Sequence, residues 1–296
     1  MKIVFSGIAF FSKPLVKSLN EVDSNNTYTY CNMKGSFYEK IRFYYYMLFA
    51  DILFVTYVDA YYMKSVDFAL KLRKKVVLAW VGTDVFNAIP RIKQNVFNKH
   101  YINNTVHVSA SRWLQDELQK VHIKSKYIPN LIIENFIQSF STKTFSVLTR
   151  IAKNKEEFYG INTIKKLALD YPHIEFKLAG IDSYFDLPDN VKCLGWIDVK
   201  EELKKSTIFL RFMQHDGESH AVIEALSLGK NVIYNYPFPF CQYVKTYDDV
   251  KEKLNKLILL HSKQDLEINY NAIDFVKKYY SKEIITKQYI KLFESL

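Results

Sequence analysis

The sequence predicts an α/β chain of two domains built on parallel sheets, and three observations carry that prediction. A chain of 296 residues has room for two domains of roughly 100–200 residues each. Short apolar runs of strand length alternate with amphipathic helical stretches along the chain. Phe209 to Pro239, FLRFMQHDGESHAVIEALSLGKNVIYNYPFP, reads as strand, polar loop, helix and strand, the unit from which parallel sheets are made. A hydrophobic fraction of 49% supplies ample material for two cores, and 24% charged residues is ordinary.

At the head of that stretch, TIFLRFM (residues 207–213) is a buried strand, and His215-Asp216-Gly217-Glu218-Ser219 is the polar turn after it. AVIEALSL places Val222, Ile223, Leu226 and Leu228 on an apolar helix face, Gly229 ends the helix, and NVIYN is the next strand. The N–H groups of a helix start are unpaired and carry partial positive charge, which suits a diphosphate or sugar oxygens. A carboxylate in the loop can accept from sugar hydroxyls, and Glu224, two turns along, can hold ribose hydroxyls. The plainer alternative is a capped helix, with Asp216 as its N-cap and Glu224 solvated.

Asp216-Gly217, six residues, Glu224-Ala225, then Gly229 and Val232 resemble the donor-sugar motif of family-4-type (group 1) retaining glycosyltransferases with the GT-B fold. The usual first acid of that motif is Glu and here it is Asp216; the usual Pro is Asn231. The resemblance implies two Rossmann-like domains with a cleft between them. It also implies transfer of a hexose from a nucleoside-diphosphate sugar with retention at the anomeric carbon, and no tightly bound metal or other cofactor.

KIVFSG is a first strand ending at Gly7, and Ser12 is the expected N-cap of the helix that follows, with Pro14 in its first turn. The resemblance places Gly7 near the donor phosphates. Residues 28–31 form a short strand, 37–49 (FYEKIRFYYYMLF) a helix loaded with aromatics, and 51–58 another strand. That helix either packs its aromatics on the sheet or presents them, with Lys40 and Arg42, to a membrane interface or acceptor. A helix is expected at 61–73 and a strand at 76–82, followed by Thr83-Asp84. By resemblance Asp84 contacts acceptor or donor sugar; the alternative is a helix N-cap. Strand, Ser111-capped helix and KYIPN close an N-terminal acceptor-side domain, residues 1–130.

Residues 131–143 are the expected linker, and 144–281 the nucleotide-sugar domain. Its first strand, 144–151, carries Arg150 near its end, with Lys153 and Lys155 just beyond. Enzymes of the resembled family hold the donor diphosphate with an Arg and a Lys five positions on, which is Lys155; Lys153 competes because Glu156 to Tyr159 separate Lys155 from Gly160. A helix at 160–170 and strands at 174–180 and 191–197 follow. Trp196 and Ile197 are, by resemblance, neighbours of the nucleobase, and a core tryptophan is the alternative. Helices are expected at 247–261, 264–280 and 282–295, the last crossing back to the first domain by resemblance, so that 282–296 is a separate C-terminal segment.

A net charge of +10 allows nucleic acid, anionic membrane or an acidic substrate as partner. No nucleic-acid motif accompanies it, so no nucleic acid is expected and a DNA-directed or non-enzymatic basic protein is the distant alternative. Cys31, Cys193 and Cys241 lack metal spacing and cannot all pair, which favours a reducing compartment. Lys2 precedes a short apolar run broken by Ser12-Lys13-Pro14 with no cleavage site, and no apolar stretch spans a membrane. The expectation is a cytoplasmic glycosyltransferase, peripheral at the inner face of the membrane. Its donor is a UDP- or GDP-sugar, its acceptor a saccharide or lipid-linked hydroxyl, and its membrane contact weak. Asp216, Arg150, Lys155 and Asp84 are the expected catalytic residues. Gly7, Lys153, Trp196, Ile197, His215, Gly217, Glu218, Ser219 and Glu224 are the expected donor contacts. A sugar-nucleotide epimerase of the same fold is the enzymatic alternative.

Overall fold

The structure, a computed structural model, describes residues 1–59, 63–134, 136 and 142–296. The chain divides into two units. Unit 1 is Met1–Ile132 with His215–Glu218 and Tyr280–Leu296; unit 2 is Ile133–Gln214 with Ser219–Tyr279. The expected linker at 131–143 lies partly outside the described residues, at 135 and 137–141.

Unit 1 holds a six-stranded sheet of β1 (Lys2–Gly7), β2 (Thr27–Tyr30), β3 (Ile52–Thr56), β4 (Lys75–Trp80), β5 (Val106–Ser109) and β6 (Lys126–Tyr127). Their order is β2-β1-β3-β4-β5-β6, and every pairing is parallel. All five residues of β3 are buried, as a parallel sheet covered on both faces requires. Its side chains alternate between two cores. Leu53 and Val55 join Phe43, Met47, Leu78 and Trp80 on one face. Ile52 and Phe54 join Phe5, Leu19, Tyr289 and Phe293 on the other. The helices of this unit are α1 (Ala9–Val22), α2 (Phe37–Phe49), α3 (Lys64–Lys71), α4 (Thr83–Lys93), α5 (Lys99–Asn103), α6 (Arg112–Gln119) and α12 (Lys282–Glu294). Positions 61 and 62, where the third helix was expected to begin, lie outside the described residues.

The first helix starts earlier than its sequence signal. Gly7 turns the chain at φ +99°, where a Cβ would lie 1.9 Å from the Thr56 carbonyl oxygen, and α1 begins at Ala9 with Ile8 as N-cap. Ser12 is therefore inside the helix and fully buried, its hydroxyl 2.7 Å from Thr56 Oγ1, and Pro14 falls in the second turn. A hydroxyl can satisfy a tertiary partner as well as a helix end, and here the buried Thr56 competes successfully for it.

Unit 2 holds β7 (Ser146–Arg150), β8 (Glu175–Ala179), β9 (Val191–Gly195), β10 (Ile208–Arg211), β11 (Asn231–Tyr234) and β12 (Gln242–Tyr243). Their order is β12-β11-β10-β7-β8-β9, again all parallel. Its helices are α7 (Ile161–Asp170), α8 (Val199–Lys204), α9 (His220–Ser227), α10 (Tyr247–Ser262) and α11 (Tyr270–Tyr280), whose last residue belongs to unit 1. The short helices α5 and α8 have no counterpart in the sequence reading, because one turn or two cannot display a periodic apolar face. Each sheet has a point where strand order reverses, between β1 and β3 in unit 1 and between β7 and β10 in unit 2. Open α/β sheets bind ligands at the carboxyl ends of the strands at such points.

Candidate nucleotide and sugar sites

In unit 2, Arg150, His220 and Glu224 lie near one another about the reversal point. Arg150 ends β7, and its guanidinium carbon stands 5.7 Å from the centre of the Trp196 ring. Trp196 is 83% exposed, so the core alternative for it does not hold. Lys153 and Lys155 are exposed in the turn after β7, and Lys153 Nζ reaches Asp182 at 3.9 Å. His220, the first residue of α9, is pushed down to about 3 by burial and then by the Arg150 charge. Glu224, one turn further on, is pushed up to about 7 by burial; Arg150 and Lys200 oppose the shift and Asp198 adds to it. Arg211 ends β10, buried, with its guanidinium 4.9 Å from the Tyr159 ring and Nη1 donating to the Arg150 carbonyl at 3.5 Å. Ile197 is half-buried. Ser219, not Asp216, is the N-cap of α9, and its side chain makes no cap hydrogen bond.

This arrangement provides a cation, a half-buried carboxyl, a flat exposed ring and the N–H groups of a helix start. Together they can take a polyanion bearing hydroxyls and an aromatic base. His220 and Arg211 were missed by sequence reasoning. The only signal for His220 was its place at the head of the motif helix, and Arg211 reads as one charge in an apolar strand.

The segment His215–Glu218 belongs to unit 1. Trp113 Nε1 donates to the Asp216 carbonyl at 2.9 Å, and His215 Nε2 meets Glu117 Oε2 at 2.9 Å, with the His215 ring 5.1 Å from Phe86. Gly217 lies against the chain after β4; a Cβ there would stand 2.0 Å from the Val81 carbonyl oxygen. Asp216 itself is 8% exposed. Glu218, expected to bind donor, is buried and engaged by side chains of unit 1. It accepts from Tyr127 at 2.7 Å and is hydrogen-bonded by Tyr280, and burial pushes its carboxyl up to about 8. Glu117, Tyr127 and Tyr280 carry no motif that could have shown these partnerships.

Asp84, expected to touch a sugar, lies in the turn after β4. It is 1% exposed, and its two oxygens accept the backbone N–H groups of Val58, Val81, Gly82 and Val85. These four donors satisfy the carboxylate and hold the turn after β4. Gly7 lines a cavity of about 480 Å³ at the carboxyl ends of β1 and β3, with Tyr30, Met33, Thr56, Tyr57 and Met63 among its walls. Tyr57 has φ +72°, a conformation costing about 1–3 kcal/mol that non-glycine residues keep where the surroundings enforce it. Sequence reading assigned Gly7 to the donor and did not anticipate the cavity. No cluster of three or more His, Cys, Asp or Glu residues that could hold a metal ion occurs among the described residues.

No protein-family model matches the chain, and no curated protein does. Solved structures do. A variant of TarM from S. aureus, in complex with fondaparinux, α-GlcNAc-glycerol and UDP, matches at TM-score 0.60 and 12% identity, over 82% of this chain and 55% of that one. The pneumococcal O-GlcNAc transferase GtfA, in complex with UDP and GlcNAc, matches at 0.59 and 13%, over 82% and 56%. The UDP-GlcNAc 2-epimerase from Neisseria meningitidis, bound to UDP-GlcNAc, matches at 0.53 and 14%, over 100% of both chains. The chain thus spans little more than half the length of the two transferases. Two six-stranded parallel sheets, each with its own reversal point, together with these likenesses give the chain the GT-B fold.

Proposed function

We propose that the chain is a glycosyltransferase moving a hexose from a nucleoside-diphosphate sugar to the hydroxyl of a saccharide or lipid-linked acceptor. The observation that carries this reading is the set Arg150, Trp196 and Glu224 about the start of α9. Arg150, with Lys155 or Lys153, meets the diphosphate, and the α9 N–H groups share its charge, so no metal is needed to neutralise the leaving group. Trp196 and Ile197 flank the base and Glu224 holds the ribose. Asp216, His215 and Gly217 serve the sugar, Ser219 the helix start. UDP is the first nucleotide to try, since the similar transferases and the epimerase were solved with UDP or UDP-GlcNAc. The acceptor enters the unit 1 cavity beside Gly7. Retention at the anomeric carbon follows the motif resemblance, and the location that goes with this activity is the cytoplasm, at the inner face of the membrane.

The first test is a thermal-shift panel of UDP-, GDP- and ADP-sugars. A ligand at about 100 times its Kd adds ~2.7 kcal/mol. The expected result is a shift with one nucleotide that is lost in Arg150→Ala, a change removing charge-assisted bonds worth ~1.5–3 kcal/mol each. Loss in only one of Lys153→Ala and Lys155→Ala names the diphosphate lysine. No shift with any nucleotide sugar removes the proposal. The epimerase reading is favoured by a likeness covering the whole of both chains. Release of an epimerised nucleotide-sugar in the absence of acceptor selects it over transfer.

A further inference from the structure

Helix α2 turns most of its large apolar side chains away from the protein. Only Phe43 and Met47 are buried. Phe37 is 78% exposed, Tyr38 75%, Tyr45 60%, and Ile41, Leu48 and Phe49 are each at least half exposed. At 3.6 residues per turn these six fall on one arc of about 120°, opposite the buried pair. The helix is well founded without any partner: Ser36 and Glu39 form a capping box at its start. Six exposed large apolar groups on one continuous face are not the scatter of a normal surface.

Cations surround this face. Arg42 borders the arc on one side, its guanidinium 5.4 Å from the Tyr46 ring, and Lys40 lies on the other. Lys34 precedes the helix. At the far end Lys2 Nζ stands 5.9 Å from the Phe49 ring, and Lys74 Nζ donates to the Leu48 carbonyl at 3.3 Å. Glu39 and Asp51 are the acids nearby; Glu39 is engaged by the Ser36 backbone and Asp51 by the Lys2 backbone. We infer that the outer face of α2 is a docking surface for an anionic lipid bilayer. Phe, Ile and Leu enter the acyl boundary, the tyrosine hydroxyls stay among the headgroups, and the Lys and Arg ring meets lipid phosphates.

The charge pattern selects this occupant over a second copy of the chain. A two-fold dimer would press the same patch against itself and set one ring of Lys and Arg against the other. A bilayer instead supplies both an apolar slab and opposite charge. Binding of this kind is modest and salt-sensitive, on the order of fivefold per cation at the surface.

The test is co-sedimentation of the full chain with vesicles of phosphatidylcholine, alone or mixed with phosphatidylglycerol, at low and high salt. Pelleting with the anionic vesicles at low salt, and release at high salt, is the expected result. Arg42→Ala should weaken it about fivefold. The pair Phe37→Ser and Tyr38→Ser should abolish it with the far-ultraviolet circular dichroism unchanged, since both side chains leave the core untouched. Failure to pellet under every condition overturns the inference. So does pelleting that survives the paired change, or a dimer in light scattering that the paired change dissociates. No donor or acceptor is present, so this outcome is independent of whether the chain transfers sugar.

Discussion

Tyr127 donates its hydroxyl to Glu218 at 2.7 Å, across 91 positions of sequence. Tyr280 joins the same carboxyl, and Tyr127 and Tyr280 lie 3.4 Å apart through their hydroxyls. Burial pushes this carboxyl up to about 8, and the Tyr127 and Tyr280 hydrogen bonds and the Arg112 charge only partly oppose it. Next to it, Asp216 is fixed through its carbonyl by Trp113. A proposed sugar-binding acid and a neutral supporting acid therefore sit two positions apart, distinguished by their surroundings.

Glu218 makes stability depend on pH. Its folded value is raised from the usual 4.5 to about 8. A raised value means the folded state holds the proton more tightly, so this contribution is fully present below about 4.5 and is lost as pH rises through about 8. Glu218→Gln keeps a neutral group in place. Its melting temperature relative to the parent should climb between those two values, by the equivalent of about 5 kcal/mol at the upper end. A constant difference across the range would show that Glu218 is ionised in the fold.

Gly217→Ala should destabilise unit 1 on steric grounds. The new Cβ would meet the Val81 carbonyl oxygen at 2.0 Å and the Gly82 Cα at 3.1 Å, both backbone atoms that cannot swing aside. A cost of about 1–3 kcal/mol is expected from the forced shift. Denaturant unfolding measures it, and a variant within 0.5 kcal/mol of the parent, roughly the scatter of neutral surface changes, would contradict the close approach.

Glu224 should give nucleotide binding its own pH dependence. Burial holds it near 7, and the ionised form is the better acceptor for ribose hydroxyls. Calorimetric affinity for UDP should therefore improve more steeply in the parent than in Glu224→Gln as pH rises from about 6 to about 8. Parallel curves would remove Glu224 from the ribose. Comparing the two proteins cancels the ionisation of the diphosphate itself.

Much of the fold could be read from the chain because its signals are local. The apolar runs that became β1, β3, β4, β7, β8 and β10 are short, and glycines close several of them. Arg150, Trp196 and Glu224 were legible as site candidates because their surroundings resemble the donor motifs of GT-B glycosyltransferases, and strand ends and the first turns of a helix face the ligand side in a parallel α/β unit. Ser12 was misread as a cap because a serine before helical residues looks the same whether its hydroxyl serves the helix or a distant threonine.

The sequence by itself determined the alternation of strands and helices and the two-sheet α/β class, since periodicity and turn chemistry act within a few positions. Only the tertiary structure decided what surrounds Asp84, Glu218 and α2. Whether a carboxylate is free for a ligand depends on which remote groups reach it. Asp84 is occupied by backbone N–H groups brought from the end of β3 as well as its own turn, and Glu218 by tyrosines far along the chain. The outward face of α2 likewise follows from strand order. Helix α2 crosses from the edge strand β2 to β3 and packs Phe43 and Met47 against Val4, Leu53 and Val55 on one face of the sheet, which leaves its aromatic arc facing outward.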